Sequence, residues 1–295
     1  MQVNNNINYG VRDKMKCFVC KKGYMTPYFI KKRGCECIDE EFERCSNCGL
    51  VINRTLYEMT AKEWEEVNYI CHNGYQGTDE NADDPKWLSR LKSQAEVFAG
   101  LFDCGIFSEN MRTIDYGCGD GKLSQYVDDA FELRTGHRPS HQLIGKYEKY
   151  MALDGIVGYY TVADITPNSF DVVISCSVIE HLIGFEEIDK FFSLAKDNGT
   201  VCLHTLICEE VPRDPEWFYL TPEGHCTIWT NAAMKIIYEE YGYVGCAYNL
   251  EAQMWFFFRD ADKFAKLKEL HDRIKGAWTI SEKFVDYWKQ LPYRK

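Results

Sequence analysis

The stretch Thr113-Ile114-Asp115-Tyr116-Gly117-Cys118-Gly119-Asp120-Gly121 decides the architecture. A β-branched approach that ends in an acid and runs into three alternate glycines describes a strand feeding a tight turn. With no Cβ at 117, 119 or 121, the backbone takes positive φ at little cost and its N–H groups can approach a ligand. A helix predicted over 122–131 aims its free N-terminal amides at the same place, which points to a bound cofactor.

A dinucleotide fingerprint spaces its glycines as G-x-G-x-x-G, whereas here the third comes one residue early and Asp115 precedes the first. The run resembles motif I of the class I S-adenosylmethionine-dependent methyltransferases. A lone glycine triplet also fits a plain turn, and two further segments decide against that. Ser169-Phe170-Asp171-Val172-Val173-Ile174-Ser175-Cys176-Ser177-Val178-Ile179-Glu180-His181-Leu182 holds an apolar run that reads as a strand buried on both faces. It is similar to the family's fourth strand and following helix, including Phe-Asp-Val-Val and the pair Glu180-His181. Asp164 closes the run Gly158-Tyr159-Tyr160-Thr161-Val162-Ala163, where such enzymes carry an acid that accepts the adenine amino group.

The chain has 295 residues, 45% of them hydrophobic, room for one large core plus a small accessory unit. No run approaches the ~18 apolar residues that cross a bilayer, and the polar start Met1-Gln2-Val3-Asn4-Asn5-Asn6 is no signal peptide, so a reducing cytoplasm is expected. Many of the 14 cysteines sit singly in apolar segments, as Cys176, Cys202 and Cys246 do, and read as small core residues.

Six cysteines fall within the first 48 residues. Cys17-Phe18-Val19-Cys20 and Cys45-Ser46-Asn47-Cys48 are two C-x-x-C knuckles, and the segment between them is long enough for a strand pair to bring them together. Four thiolates so spaced suit tetrahedral zinc, and glycine after each knuckle, at 23 and 49, lets backbone amides point at sulfur. Cys35 and Cys37 could replace one knuckle, bind a second ion or do nothing, and the last is favoured. Residues 1–58 carry a formal charge of +3, leaving −14 for the remainder. Four thiolates and a zinc ion would cut that +3 to about +1, so the module reads as a structural ribbon rather than a reader of nucleic acid.

The expected organisation is a zinc ribbon over 1–58, a linker or lid over 59–92, a cofactor-binding domain over 93–260 and a helical extension over 261–295. Thr60 with Glu63 forms a capping box that opens a helix, and Tyr69 and Tyr75 suit a lid. Strands are predicted near 112–116, 141–146, 156–162, 171–176, 199–208, 244–250 and 252–260, alternating with helices, as in a parallel sheet covered on both faces. The last two are too close for a crossover and form an antiparallel hairpin. The resemblance implies an α/β, Rossmann-like, seven-stranded and mostly parallel sheet with one antiparallel strand, beside the ribbon.

Ligands of open α/β sheets bind at the carboxyl ends of the strands. The resemblance then sets the methionine end of S-adenosylmethionine over Gly117, Gly119 and Gly121, with Asp115 accepting from its ammonium group and Ser177 lining it through its backbone. The acid for the ribose diol should follow the second strand. The first acid after Gln142-Leu143-Ile144-Gly145 is Glu148, delayed by an apparent insertion over 133–141; a solvated surface residue is the alternative.

A sugar hydroxyl is weakly nucleophilic at neutral pH, so a positioned base must take its proton. Among seven histidines, His204 reads as core, His181 as either helix packing or site, and His225 as the base. Residues 211–230 are dense in Pro, Trp and Tyr, with Trp217, Tyr219 and Trp229 as walls for sugar rings. The run Tyr219-Leu220-Thr221-Pro222-Glu223-Gly224-His225-Cys226-Thr227-Ile228-Trp229-Thr230-Asn231 is similar to methyltransferases of bacterial surface-glycan and sugar-nucleotide pathways. The expected partner is a small sugar or glycan substrate. RNA methylation is the second enzymatic expectation, opposed by the −14 charge of the larger part. A non-catalytic binder of cofactor and zinc is the third. The oligomeric state stays open.

Overall fold

A computed structural model describes residues 14–32, 39–75, 85–150, 158–220 and 224–286. Cys35 and Cys37 lie outside them, as does the side chain of Tyr75. The chain opens with strands β1 (Met25–Lys31), β2 (Glu40–Cys45) and β3 (Val51–Asn53), then helices α1 (Arg54–Tyr57), α2 (Ala61–Tyr75) and α3 (Pro85–Asp103). The capping box forms at α2: the Thr60 amide donates to Glu63 Oε2 at 2.8 Å and the Glu63 amide to Thr60 Oγ1 at 3.3 Å.

Strand β4 (Thr113–Tyr116), α4 (Lys122–Thr135), β5 (Gly145–Tyr147), β6 (Phe170–Cys176), α5 (Gly184–Ser193) and β7 (Ala195–His204) follow. After them come β8 (Ile207–Cys208), β9 (Thr227–Thr230), α6 (Asn231–Glu240), β10 (Gly245–Asn249), β11 (Met254–Phe258), α7 (Ala261–Leu270) and β12 (Trp278–Ser281). One sheet has seven strands in the order β12-β10-β11-β7-β6-β4-β5. β5, β4, β6 and β7 run parallel, while β10 pairs antiparallel with both β11 and β12, and β11 antiparallel with β7.

The two-sided burial of this sheet explains its apolar runs. On β6, Val173 packs into the cluster shared with α5 and α6, whereas Val172 and Ile174 pack into the cluster shared with α3 and α4. On β11, Trp255 and Phe257 face the first cluster and Met254, Phe256 and Phe258 the second. Every position meets apolar partners, so hydrophobicity runs unbroken instead of alternating.

Two expectations about this sheet are corrected. Among the described residues, the strand expected at 156–162 amounts to one parallel bridge, Lys146↔Tyr159. The seventh strand is β12 on the opposite edge, inside the extension read as helical, so two strands are reversed rather than one. Helix α7 stops at Leu270 and a one-turn 3-10 segment ends at Arg273. Gly276, at φ 95° and packed where a Cβ would lie 2.4 Å from Glu251 Oε2, then turns the chain into β12. That turn is set by a contact with a distant loop, invisible in the local pattern.

The second sheet, β1-β2-β3-β9-β8, joins distant parts of the chain. β3 pairs antiparallel with β9 through Val51↔Ile228, and β9 runs parallel to β8. Tyr28 OH donates to the Val211 carbonyl at 2.6 Å and Lys31 Nζ to the Leu220 carbonyl at 2.7 Å, so the segment after β8 lies along β1. Among the described residues no helix is long and apolar enough to cross a membrane.

Candidate active site

Three loops meet at the carboxyl ends of the parallel strands. After β4, Gly117, Gly119 and Gly121 take φ of 76°, 55° and 74°. A Cβ on Gly117 would stand 2.6 Å from Val178 Cγ2, and one on Gly121 2.7 Å from Lys146 Cδ. Glycine is therefore required at both by conformation and by space. The Gly117 amide donates to the Tyr147 carbonyl at 2.8 Å, tying the turn to the end of β5. Glu148, the next residue, accepts from the Gly119 amide at 2.9 Å. Its other oxygen accepts from the amides of Lys149 and Tyr150.

Asp115 is 2% exposed and its Oδ1 has no hydrogen-bond partner. Burial, and then the charge of Glu148, push its carboxyl up to about 7. A buried, unsatisfied carboxylate beside a bare turn fits a cationic ligand group. An acceptor so placed matches the ammonium end of an amino-acid-bearing cofactor.

Ser177, just after β6, takes φ 58°, uncommon for a residue with a side chain, and its amide donates to the His204 carbonyl at 2.8 Å. A 3-10 turn, Ile179–His181, comes next and lies between the glycine turn, against which Val178 packs, and the segment preceding β9, whose Cys226 amide donates to the Glu180 carbonyl at 2.9 Å. Glu180, 1% exposed, accepts from Tyr219 OH and Thr205 Oγ1, each at 3.0 Å. His225 Nδ1 lies 2.8 Å from the Tyr219 carbonyl. A carbonyl only accepts, so Nδ1 carries the hydrogen and Nε2 is the basic nitrogen. The His181 and His225 rings meet edge to face, 4.8 Å between centroids.

The structure brings Asp115, Gly117, Gly119, Gly121, Glu148 and Ser177 to one edge, and His181 and His225 side by side next to it. Asp164 is not among them. Its carboxylate accepts from the Thr161 amide and hydroxyl and so caps the short turn Val162–Asp164. Its carbonyl faces the side chain of Arg112, the residue before β4, at the end where the strands begin. Trp229 also departs from expectation: it is fully buried in the core, its indole N–H directed at the Ile179 carbonyl, while Trp217 is half-buried and Phe218 is exposed. All four side chains of β9 are buried, Trp229 in the main cluster and Ile228 in a smaller one on the other face.

The sequence model of a family described as a methyltransferase domain matches residues 90–246, just over half of the chain. The chain belongs to this methyltransferase family. S-adenosylmethionine is the methyl donor that membership of this family implies. Among solved structures, it is similar to the mitomycin 7-O-methyltransferase MmcR, at 16% identity, 66% coverage of each chain and a TM-score of 0.40. It is also similar to the CurJ carbon methyltransferase, at 11% identity, coverage of 51% of this chain and 49% of that one, and a TM-score of 0.31. The methyltransferase thus spans just under two thirds of the first protein and about half of the second. No curated protein matches it.

Away from the cofactor edge, the methyltransferase gathers Cys17, Cys20, Cys45 and Cys48, all buried, with their sulfurs within 4.8 Å of one another. Cys17 and Cys48 sulfurs are 3.7 Å apart and those of Cys20 and Cys45 3.5 Å apart. A tetrahedral ion with bonds of about 2.3 Å requires sulfurs about 3.8 Å apart. Amides of Gly23 and Asn47 point at Cys20 Sγ and Cys45 Sγ, each at 3.3 Å. A Cβ on Gly23 would fall 2.6 Å from Cys45 Sγ, so that glycine is needed for the approach. The donor set fits a metal ion.

Sequence reasoning gave no role to Glu180 beyond the family pair, nor any to Arg90. Both act through partners far along the chain, Tyr219 for the first and His204 for the second. No local spacing announces such a pairing. His204, read as core, is held through both ring nitrogens, by Arg90 and by the Gln253 carbonyl, each at 2.8 Å.

Proposed function

We propose that this methyltransferase methylates a hydroxyl of a sugar, a sugar nucleotide or a related surface-glycan intermediate, with His225 as general base. The observation that carries the proposal is the Nδ1–H bond of His225 to the Tyr219 carbonyl, which leaves Nε2 as an acceptor beside the cofactor edge. Tyr219 is itself held by Glu180 and Thr205, so carbonyl, phenol and imidazole form one positioned unit. Bound S-adenosylmethionine supplies an electrophilic methyl on a sulfonium. The chain aligns the acceptor oxygen, takes its proton at Nε2 and excludes water. His181 packs edge-on against His225 and limits how that ring can turn.

Aromatic Trp217 and Tyr219 offer apolar faces of the kind sugar rings stack on. In this reading Glu148 serves the ribose diol, and Cys17, Cys20, Cys45 and Cys48 hold a structural zinc ion. The charge of −14 outside residues 1–58 disfavours a phosphate backbone as acceptor.

The test pairs a substrate panel with one variant. Labelled methyl donor is supplied with nucleotide-linked sugars, glycan fragments and RNA, and incorporation is expected only with the sugars. His225→Ala should lower turnover on the order of 100-fold or more with cofactor affinity unchanged. Label entering RNA would overturn the substrate class, and undiminished turnover would remove His225 from its role.

A further inference from the structure

Arg90 stands near the start of α3, above the carboxyl ends of β6 and β7. One turn later Gln94 fixes the helix there: its Nε2 donates to the Ala252 carbonyl at 3.1 Å and its Oε1 faces Cys176 Sγ at 3.8 Å. Among the described residues the Arg90 guanidinium makes one hydrogen bond, from Nη1 to His204 Nε2, at 2.8 Å. His204 spends its Nδ1 hydrogen on the Gln253 carbonyl. Burial, with the Arg90 charge adding to it, drives the His204 pKa down to about 3, so this imidazole is neutral and cannot balance a cation. Arg90 Nε is buried with no hydrogen-bond partner, and no carboxylate pairs with Arg90 among the described residues.

A positive charge left open at a sheet edge implies an anionic group that arrives there. Asp115, whose buried Oδ1 also lacks a hydrogen-bond partner, is the matching group of opposite sign. Ile114 packs toward α5, so Asp115, one residue on, faces the α3 and α4 side, which is also Arg90's side. The Cys176 thiol, at the end of the strand between β4 and β7, feels both charges: Asp115 raises its pKa and Arg90 opposes that, beneath the larger effect of burial. β4 and β7 are two ladder spacings apart, about 10 Å. An α-amino acid hydrogen-bonded at both ends spans on the order of 8 Å.

We propose that Arg90 binds the carboxylate of the cofactor's methionine end, as the counterpart of Asp115 on the ammonium. The two open charges then form a zwitterion clamp that fixes which way the sulfonium points. His204 acts as a positioning residue, bracing the guanidinium through a neutral nitrogen so that its charge stays available. The proposal rests on the family's use of S-adenosylmethionine and names a residue that motif I does not contain.

Calorimetry with two ligands tests it: S-adenosylhomocysteine and the same molecule lacking the carboxylate. The wild-type enzyme should bind the first about 10- to 100-fold more tightly, the range for hydrogen bonds to a charged group. Arg90→Ala should lose that factor for S-adenosylhomocysteine and leave the decarboxylated ligand within about twofold. Arg90→Lys, which keeps the charge, should recover part of it. Equal wild-type affinity for the two ligands would overturn the proposal without any variant. So would Arg90→Ala weakening both alike, or leaving both unchanged while raising the KM of the acceptor. Failure of the wild type to bind either ligand would instead strike at the cofactor assignment, so the two failures are distinguishable.

Discussion

The four-cysteine corner and the cofactor edge both concentrate buried polar atoms, and they treat them in opposite ways. At the corner the sulfurs face one another and receive amides from their own turns, an arrangement that fits a single small ion. At the edge, Asp115 Oδ1 and Arg90 Nε are buried and unmatched, and the turn between β4 and α4 is stripped of Cβ atoms. Closure marks a structural centre and openness a binding site, because an unsatisfied buried polar group is costly until a ligand meets it. β9 links the two regions: it extends the cysteine sheet, and His225 lies two residues before its start.

Removing the metal should have the largest effect and should fall on one region only. Structural thiolate sites contribute on the order of 10 kcal/mol to the folding of small metal modules. Chelation, or Cys45→Ser, is therefore expected to abolish hydrogen-exchange protection in β2, β3 and β9 while S-adenosylhomocysteine binding persists. Unchanged protection in β9 would break the contrast, since the corner would then be dispensable to its neighbours.

Gly117→Ala attacks the other region. Positive φ and a 2.6 Å approach to Val178 Cγ2 both oppose the new methyl. A loss of about 1–3 kcal/mol of stability is expected, with cofactor affinity down on the order of 100-fold. Thermal melts and calorimetry read the two separately, and wild-type affinity in this variant would show that the turn tolerates a side chain.

pH sharpens the comparison. Asp115 has its folded pKa raised to about 7 from the ordinary carboxyl range, because burial and the Glu148 charge favour the neutral acid. Without ligand, this group costs stability progressively as pH rises from about 4 to about 7. An arriving ammonium needs the carboxylate, so cofactor affinity should fall up to about tenfold per pH unit below 7, with proton release on binding. Asp115→Asn should flatten that dependence; a slope surviving in the variant would assign it elsewhere.

The smallest effect concerns the link itself. Thr230 Oγ1 donates to the Cys48 carbonyl at 2.6 Å and accepts from the Ala233 amide as the N-cap of α6. Thr230→Val should cost about 1–2 kcal/mol in thermal unfolding and leave cofactor affinity unaltered.

Local backbone chemistry was legible in the residues alone. Glycines at alternate positions, a Thr-x-x-Glu start to α2, unbroken apolar runs at β6 and β11, and two cysteine knuckles each act over a few neighbours, through sterics, capping or burial. The pairing of the distant knuckles followed too, because thiolate–metal geometry admits few solutions. What only the tertiary structure decided lies mostly in contacts between segments well separated along the chain. Trp229 turns inward because β9 joins β3, β12 takes the edge where a helical tail was expected, and Asp164 caps its own turn away from the glycine loop. Arg90 meets His204 across 114 positions. Such contacts are set by which faces the folded sheets bring together, and no short-range periodicity carries that information.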